Sequence, residues 1–435
     1  IIEKPINVGA VSEKTFDEAL SLHTWTLSNG VKVLLRKTDF KQDSILFEAQ
    51  SEGGTSLLND ELFRKTLFTA QIIPVMGVND FSVSDFSKFM KGKSFKLKAK
   101  ITPKGQKLSG SSSVKDLESF MQLLHARFQT PRKDEVAFNT FIARATPYFE
   151  NKQNSPKGVF SEAVRMKQHG NSSRSIQMGA NILKEQDLDA SIEFYQQRFA
   201  NPANFTFIFV GNIELSKMEE LLTTYVATLP TTQEKETWKK LPDQRTKGQL
   251  SLTVNKGLEE KAYVSMKLYG DLNWSHEETR KFRTLQHVLK TLLRERLRED
   301  KSGVYGVRVG GVVYKDENQY AMNISFSCDP KRVEELTSEV KKIFTEVKTE
   351  LVADKYVNNY IKQILKSKET GKQQNSFWLR HFAHLVRLGD EALSLEESDR
   401  ILQSMTTQHV KEAANNYLNF DDSLIAVLMP EEKTK

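Results

Sequence analysis

Cysteine is almost absent from this chain. Its 435 residues contain one, Cys328, which excludes an intramolecular disulfide framework and any thiolate-rich zinc or iron–sulfur centre. No apolar run approaches the ~20 residues that cross a bilayer, so no membrane span is expected. Neither an initiator Met nor an apolar signal core opens the chain, and IIEKPINVGAVSEK reads as linker, so removal of a signal or of a larger upstream piece is expected. Charge of one sign is also scarce: 63 lysines and arginines against 56 aspartates and glutamates leave +7. That is modest beside the concentrated patches of nucleic-acid binders. The densest acid-free basic stretch, Lys88 to Lys107, alternates Phe95, Leu97, Ala99 and Ile101 with Lys96, Lys98 and Lys100. This is the period of a half-buried strand whose lysines deter edge pairing. Without a basic groove interleaved with stacking aromatics, no nucleic-acid partner is expected.

Motifs for common chemistries are missing too. Of eight histidines only His381 and His384 lie close in sequence. A zinc site needs three or four ligands, and neither H-E-x-x-H nor H-x-x-E-H occurs, so they read as packing or surface histidines. The glycines of SGVYGVRVGG match no phosphate-binding fingerprint and read as bends or close approaches along a strand. There is no G-x-S-x-G elbow, and Cys328 has no activating neighbour in sequence, so its thiol is expected to be unreactive.

What is present is a repeat. Ile182–Gly211 and Ile401–Pro430 align without a gap, Phe199 on Leu418 and Phe205 on Leu424; DEVAFNTFIARATPYFENKQNS from Asp134 resembles DKYVNNYIKQILKSKETGKQQNS from Asp354. Copies about 220 residues apart indicate a duplicated domain rather than a solenoid. PTTQEKETWKKLPDQRTK, Pro230 to Lys247, supplies the boundary. The expected organisation is a linker over 1–17, a first repeat over 18–230, a linker over 231–247 and a second repeat over 248–435. Asn29-Gly30 signals a hairpin, followed by a strand over 45–50 and a helix over 59–76 interrupted near Pro74. Ser275 and Glu278 form a capping-box pattern ahead of an apolar face at Phe282, Leu285, Leu289, Leu292 and Leu293. Strands follow over 304–309 and 320–327, then four helices and a final strand over 424–428. Helices in runs and strands in hairpins predict an α+β fold: two tandem homologous domains, each a mainly antiparallel sheet covered by helices.

One segment carries candidate chemistry, LRERLREDKSGVYGVRV from Leu293. A helix ends near Asp300, Ser302 and Gly303 break it, and Tyr305 begins a strand. Arg298 and Tyr305 then flank one turn and can face the same cleft, where a guanidinium and a phenol suit a peptide carbonyl or oxyanion. The plain alternatives are an arginine at a helix C-terminus and a tyrosine alternating into the core with Val307 and Val309.

With these residues in hand, the sequence resembles the pitrilysin/insulysin zinc peptidases with the inverted zinc motif. TWTLSNGVKVLLRK is similar to that family's opening hairpin, MGVNDFSVSDFSKFMKGK to a stretch in the C-terminal halves of bacterial members, and LRERLREDKSGVY to the turn carrying its Arg-x6-Tyr pair. The resemblance implies a peptidase-clamshell half. The helix equivalent to the zinc helix, SLLNDELFRKTLFTAQIIPVMG, lacks histidine, which marks the C-terminal, non-zinc half: no metal bound here, zinc in the partner half. It further implies a zinc-bearing homologous half as partner, in the same polypeptide or a separate subunit, and peptide substrates. Tyr305 would meet the scissile carbonyl or oxyanion, and Arg298 would hold the substrate backbone or the tyrosine. This chain alone is expected to be inactive. Its alternative is an inactive peptidase-like scaffold with a structural or interaction role. Scarce cysteine fits cytoplasm and periplasm equally; the bacterial resemblance favours the periplasm or cell envelope.

Overall fold

Residues that alternate between apolar and polar build the strands, and the periodic apolar faces between them build the helices. The computed structural model describes residues 2–432 apart from 4, 6 and 233. Those three, residue 1 and residues 433–435 lie outside the described residues, including the parts of the two expected linkers that fall on them. Among the described residues the strands are β1 (Val11–Asp17), β2 (Leu22–Leu27), β3 (Lys32–Lys37), β4 (Ile45–Glu52), β5 (Phe95–Ile101), β6 (Gly105–Ser112), β7 (Thr206–Gly211), β8 (Gln249–Asn255), β9 (Ala262–Asp271), β10 (Val304–Tyr314), β11 (Gln319–Cys328) and β12 (Ser423–Met429). They form a seven-stranded sheet ordered β1-β2-β3-β7-β4-β6-β5 and a five-stranded sheet ordered β10-β11-β9-β12-β8.

The two sheets repeat one topology. In the first, β3 and β7 run parallel while β7–β4, β4–β6 and β6–β5 are antiparallel. In the second, β8 and β12 run parallel while β12–β9, β9–β11 and β11–β10 are antiparallel. The hairpin β1–β2 is the first sheet's addition. This is an α+β fold of two homologous domains, each a mainly antiparallel sheet with helices.

Compactness divides the chain differently from its sequence repeat. One unit comprises Ile1–Tyr148, Gly179–Pro242 and Glu369–Ala392; the other comprises Phe149–Met178, Asp243–Lys368 and Leu393–Lys435. In the first unit, the helix Asn375–Leu388 lies on the sheet face opposite the Phe47–Phe120 core: Arg36 stacks on Trp378 at 3.6 Å and Gln50 Nε2 donates to the Ala383 carbonyl at 2.7 Å. In the second, the helix Pro156–His169 packs Phe160 and Val164 on Leu424 and Ala426. In each unit helices therefore lie on both faces of the sheet's inner strands.

Several expectations need correction. Residues 11–17, read as linker, form β1 alongside β2. β1 is charged and almost wholly exposed, so its backbone bonds hold it and no apolar alternation announces it. The helix over 59–76 breaks at Thr66–Phe68, with Pro74 inside the second segment, Thr69–Val75. Gln186 wedges the break, donating to the Arg64 carbonyl at 2.8 Å and accepting the Phe68 N–H at 3.1 Å. Five helices of the α type, not four, separate β11 from β12 among the described residues; Thr406 caps the last by accepting the His409 N–H. Ser275 accepts the Glu278 N–H at 3.0 Å, but the Glu278 carboxylate turns to the Tyr417 hydroxyl at 2.5 Å instead of closing a capping box.

The second unit's core centres on Phe282, 5.5 Å from Tyr320 and 5.4 Å from Tyr417 by ring centroids. Phe282→Ala removes a fully buried aromatic, so denaturant unfolding should show a loss of about 3–5 kcal/mol.

Candidate active-site turn

The helix His276–Leu293 widens into a π-helical stretch, Arg294–Asp300, before the chain turns into β10. Such insertions concentrate where a side chain must be re-aimed. The Lys301 N–H bonds to the Arg296 carbonyl at 3.2 Å and the Gly303 N–H to the Leu297 carbonyl at 2.9 Å. Ser302 takes φ 44°, and Gly303 leaves no room for a side chain, since a Cβ there would lie 2.7 Å from Leu336 Cδ2. Leu297 beneath the turn is fully buried.

The turn is tied down by charge. Arg296 donates to Glu339 at 3.0 Å and Glu346 at 3.1 Å; Lys301 lies 3.6 Å from both Glu335 and Glu339. Glu295 accepts from the Tyr356 hydroxyl at 2.6 Å, and Arg332 donates to the Lys301 carbonyl at 3.2 Å. Glu339 is only 5% exposed. Burial pushes its carboxyl up, but Arg296, Lys301 and Lys342 outweigh that and hold it below the usual range. Arg298 differs from its neighbours: it is exposed, and no described residue supplies its side chain with a hydrogen bond or ion pair.

Tyr305 emerges from a break in strand register. Val304 pairs with Cys328 but Val307 pairs with Phe326, so two residues of β10 oppose one of β11. Val304 and Val307 both face the core while Tyr305 is 76% exposed. A bulge of this kind turns a side chain out of its alternation, so Tyr305 is not the core residue that strict alternation would give. Lys261 Nζ sits 4.8 Å from its ring centroid. The structure thus places Arg298 and Tyr305 on either side of one turn, both exposed. Sequence reasoning missed Lys261 and Glu339, and no local motif marks either.

The other candidates behave as packing groups. His381 lies among Phe377, Trp378 and Phe382, and His384 Nδ1 is 2.9 Å from Arg387. Among the described residues no three of His, Cys, Asp and Glu are grouped to hold a metal ion. On the helix equivalent to the zinc helix, Asp60 and Glu61 are exposed and Glu61 is paired with Lys65 at 2.7 Å; these residues do not fit zinc.

Two outcomes follow. Glu339→Gln should lower stability by about 1–3 kcal/mol through lost charge-assisted bonds. In the parent, Glu339's contribution is complete above its ordinary value of 4.5 and fades as pH falls through its depressed folded value; the variant's stability–pH curve should lack that acidic limb. Cys328 is buried and its thiol is pushed up to about 11, mainly by burial. Ellman's reagent should therefore leave it untouched in the folded chain and titrate one thiol after denaturation.

Comparison with known proteins gives this turn a context. The family described as "Peptidase M16 inactive domain" matches residues 187–364, a stretch containing Arg298 and Tyr305. The protein named "Probable zinc protease PqqL" from Haemophilus influenzae is 25% identical over 393 residues, covering 90% of this chain and 40% of that protein. The chain spans less than half the length of the curated relatives it matches. The crystal structure of the periplasmic protease PqqL from Escherichia coli superposes with a TM-score of 0.83 at 20% identity, over 99% of this chain and 48% of that one. The peptidase M16 inactive domain from Pseudomonas fluorescens gives 0.75 at 18% identity, over 95% and 99%. Residues 187–364 thus match the peptidase M16 inactive domain family, and the chain resembles the C-terminal, non-zinc half of a bacterial pitrilysin/insulysin-type zinc protease.

Proposed function

We propose that this chain is the non-zinc half of a zinc metalloendopeptidase that hydrolyses peptides in an enclosed chamber. It works with a zinc-bearing homologous half, in the same polypeptide or as a separate subunit. Zinc belongs to that half. The carrying observation is the pair itself: Tyr305 turned outward by a bulge and Arg298 without a partner among the described residues, while neighbouring charges are committed to holding the turn.

In this reading the Tyr305 hydroxyl donates to the scissile carbonyl and, more strongly, to the oxyanion that develops from it. A donor placed where charge appears stabilises the transition state over the ground state. Arg298 presents a planar fork of N–H donors to substrate carbonyls or to the tyrosine oxygen, orienting the peptide for attack. Lys261 beside the Tyr305 ring adds positive potential where negative charge builds up. The periplasmic source of the Escherichia coli relative supports a bacterial periplasm or cell envelope. The family's description as an inactive domain favours, as second reading, a scaffold with an interaction role.

Cleavage of an internally quenched fluorescent peptide separates the two. The chain alone should be silent, and addition to its zinc half should produce turnover. Tyr305→Phe should cut that turnover on the order of a hundredfold. Turnover indifferent to the chain and to Tyr305 would leave the scaffold reading in place.

A further inference from the structure

The duplicated topology puts β5 and β10 in matching places: each follows the helical segment after its sheet's central strand, pairs back with the next strand, and ends the sheet. The two edges are finished differently. β5 exposes Lys96, Lys98 and Lys100 along its length, the usual guard against strand addition. The edges opposite carry Glu13, Lys14 and Asp17 on β1 and Gln249, Ser251 and Thr253 on β8. β10 is guarded less, by one charge, Arg308, and by the bulge at its Tyr305 end. Its 11 residues run VYGVRVGGVVY, with Val312 and Tyr314 exposed at 43% and 45% and open space around Gly306 and Gly310. No described residue outside β11 bonds its backbone. Gly311 is needed where β10 pairs with β11, because a Cβ there would lie 2.6 Å from the Ala321 carbonyl oxygen. Beyond the bulge the pairing from Val307 to Tyr314 is regular and carries a single charge, and an open edge of that length is a template for an added strand.

Charge names the occupant. Arg308 projects from β10, and Arg298 and Lys261 lie at its Tyr305 end; all three are exposed and none has an acidic partner among the described residues. We propose that the free edge of β10 binds an extended, acidic polypeptide segment as an additional antiparallel or parallel strand, main chain to main chain, with its carboxylates set against Arg308 and the Tyr305 end. The inference deepens the proposed function by naming a substrate class for that site, and rests on reading this face as the one that meets substrate. Its readout is binding, so it stands or falls separately from turnover.

The test uses the full chain, a fluorescein-labelled decapeptide of alternating Glu and Thr, its Lys-Thr counterpart, and a Glu-Thr peptide N-methylated at alternate residues. Anisotropy should show the Glu-Thr peptide binding at least about tenfold more tightly than the other two. Arg308→Glu should reverse the preference between the charged peptides. Amides over 304–314 should exchange about tenfold more slowly when the Glu-Thr peptide is bound. Equal binding of the N-methylated peptide, or unchanged exchange in β10, would overturn strand addition; equal binding of the acidic and basic peptides would overturn the acidic assignment. Concentration-dependent dimerisation that protects β10 without peptide would assign the edge to a second copy instead. Should Tyr305→Phe leave turnover intact while β10 still becomes protected, the catalytic role of Tyr305 fails and the strand-addition site survives.

Discussion

A carboxylate buried under a turn organises this molecule's candidate chemistry. Glu339 takes Arg296 on one side of the π-helical stretch and Lys301 on the other, so the chain between them has little freedom. An unpaired buried charge costs several kcal/mol; satisfaction of this one depends on the turn keeping its shape. Neighbouring charges are spent in the same way, Glu295 on Tyr356 and Arg332 on the Lys301 carbonyl. Against that background Arg298 is informative: it is exposed and without a partner among the described residues, and because the backbone beneath it is already fixed, a ligand need order only its side chain.

Duplication and divergence explain the rest. Five strands of each sheet follow the same order and pairing sense, so both domains inherit an edge strand in the same place. One copy's edge strand is guarded by lysines; the other's carries a bulge, three glycines and a tyrosine pointing outward. The same scaffold therefore carries a closed edge and an open one. Each unit's second sheet face meets a helix drawn from the other half of the sequence, while the outer strands β1, β5, β8 and β10 keep exposed residues.

Much of this could be read from residues alone. Asn29-Gly30 gives the β2–β3 turn, with Gly30 at φ 86°; the gapless match of Phe205, the residue before β7, with Leu424 of β12 aligns two strands that occupy equivalent positions; and Ser302-Gly303 locates the turn between Arg298 and Tyr305. What escaped depends on contacts distant in sequence. The π-helical stretch needs Glu339 and Leu336 beneath it, the bulge needs the register of β11, and the helix break at Thr66–Phe68 needs Gln186. β1 escaped because backbone pairing, not apolar alternation, makes it a strand. The destination of Asn375–Leu388 escaped because its amphipathic face says that it packs and not on which sheet.

The central claim is that Tyr305 acts on the transition state. It is tested most directly by the affinity of the assembled enzyme for a phosphinic peptide, whose tetrahedral oxyanion imitates that state, set beside its affinity for the matching uncleaved peptide held on zinc-depleted enzyme. Removing only the hydroxyl, with Tyr305→Phe, should weaken the phosphinic peptide by about a hundredfold and the ground-state peptide by no more than about threefold. Equal weakening of both would make Tyr305 a simple binding residue, and no weakening of either would contradict the account.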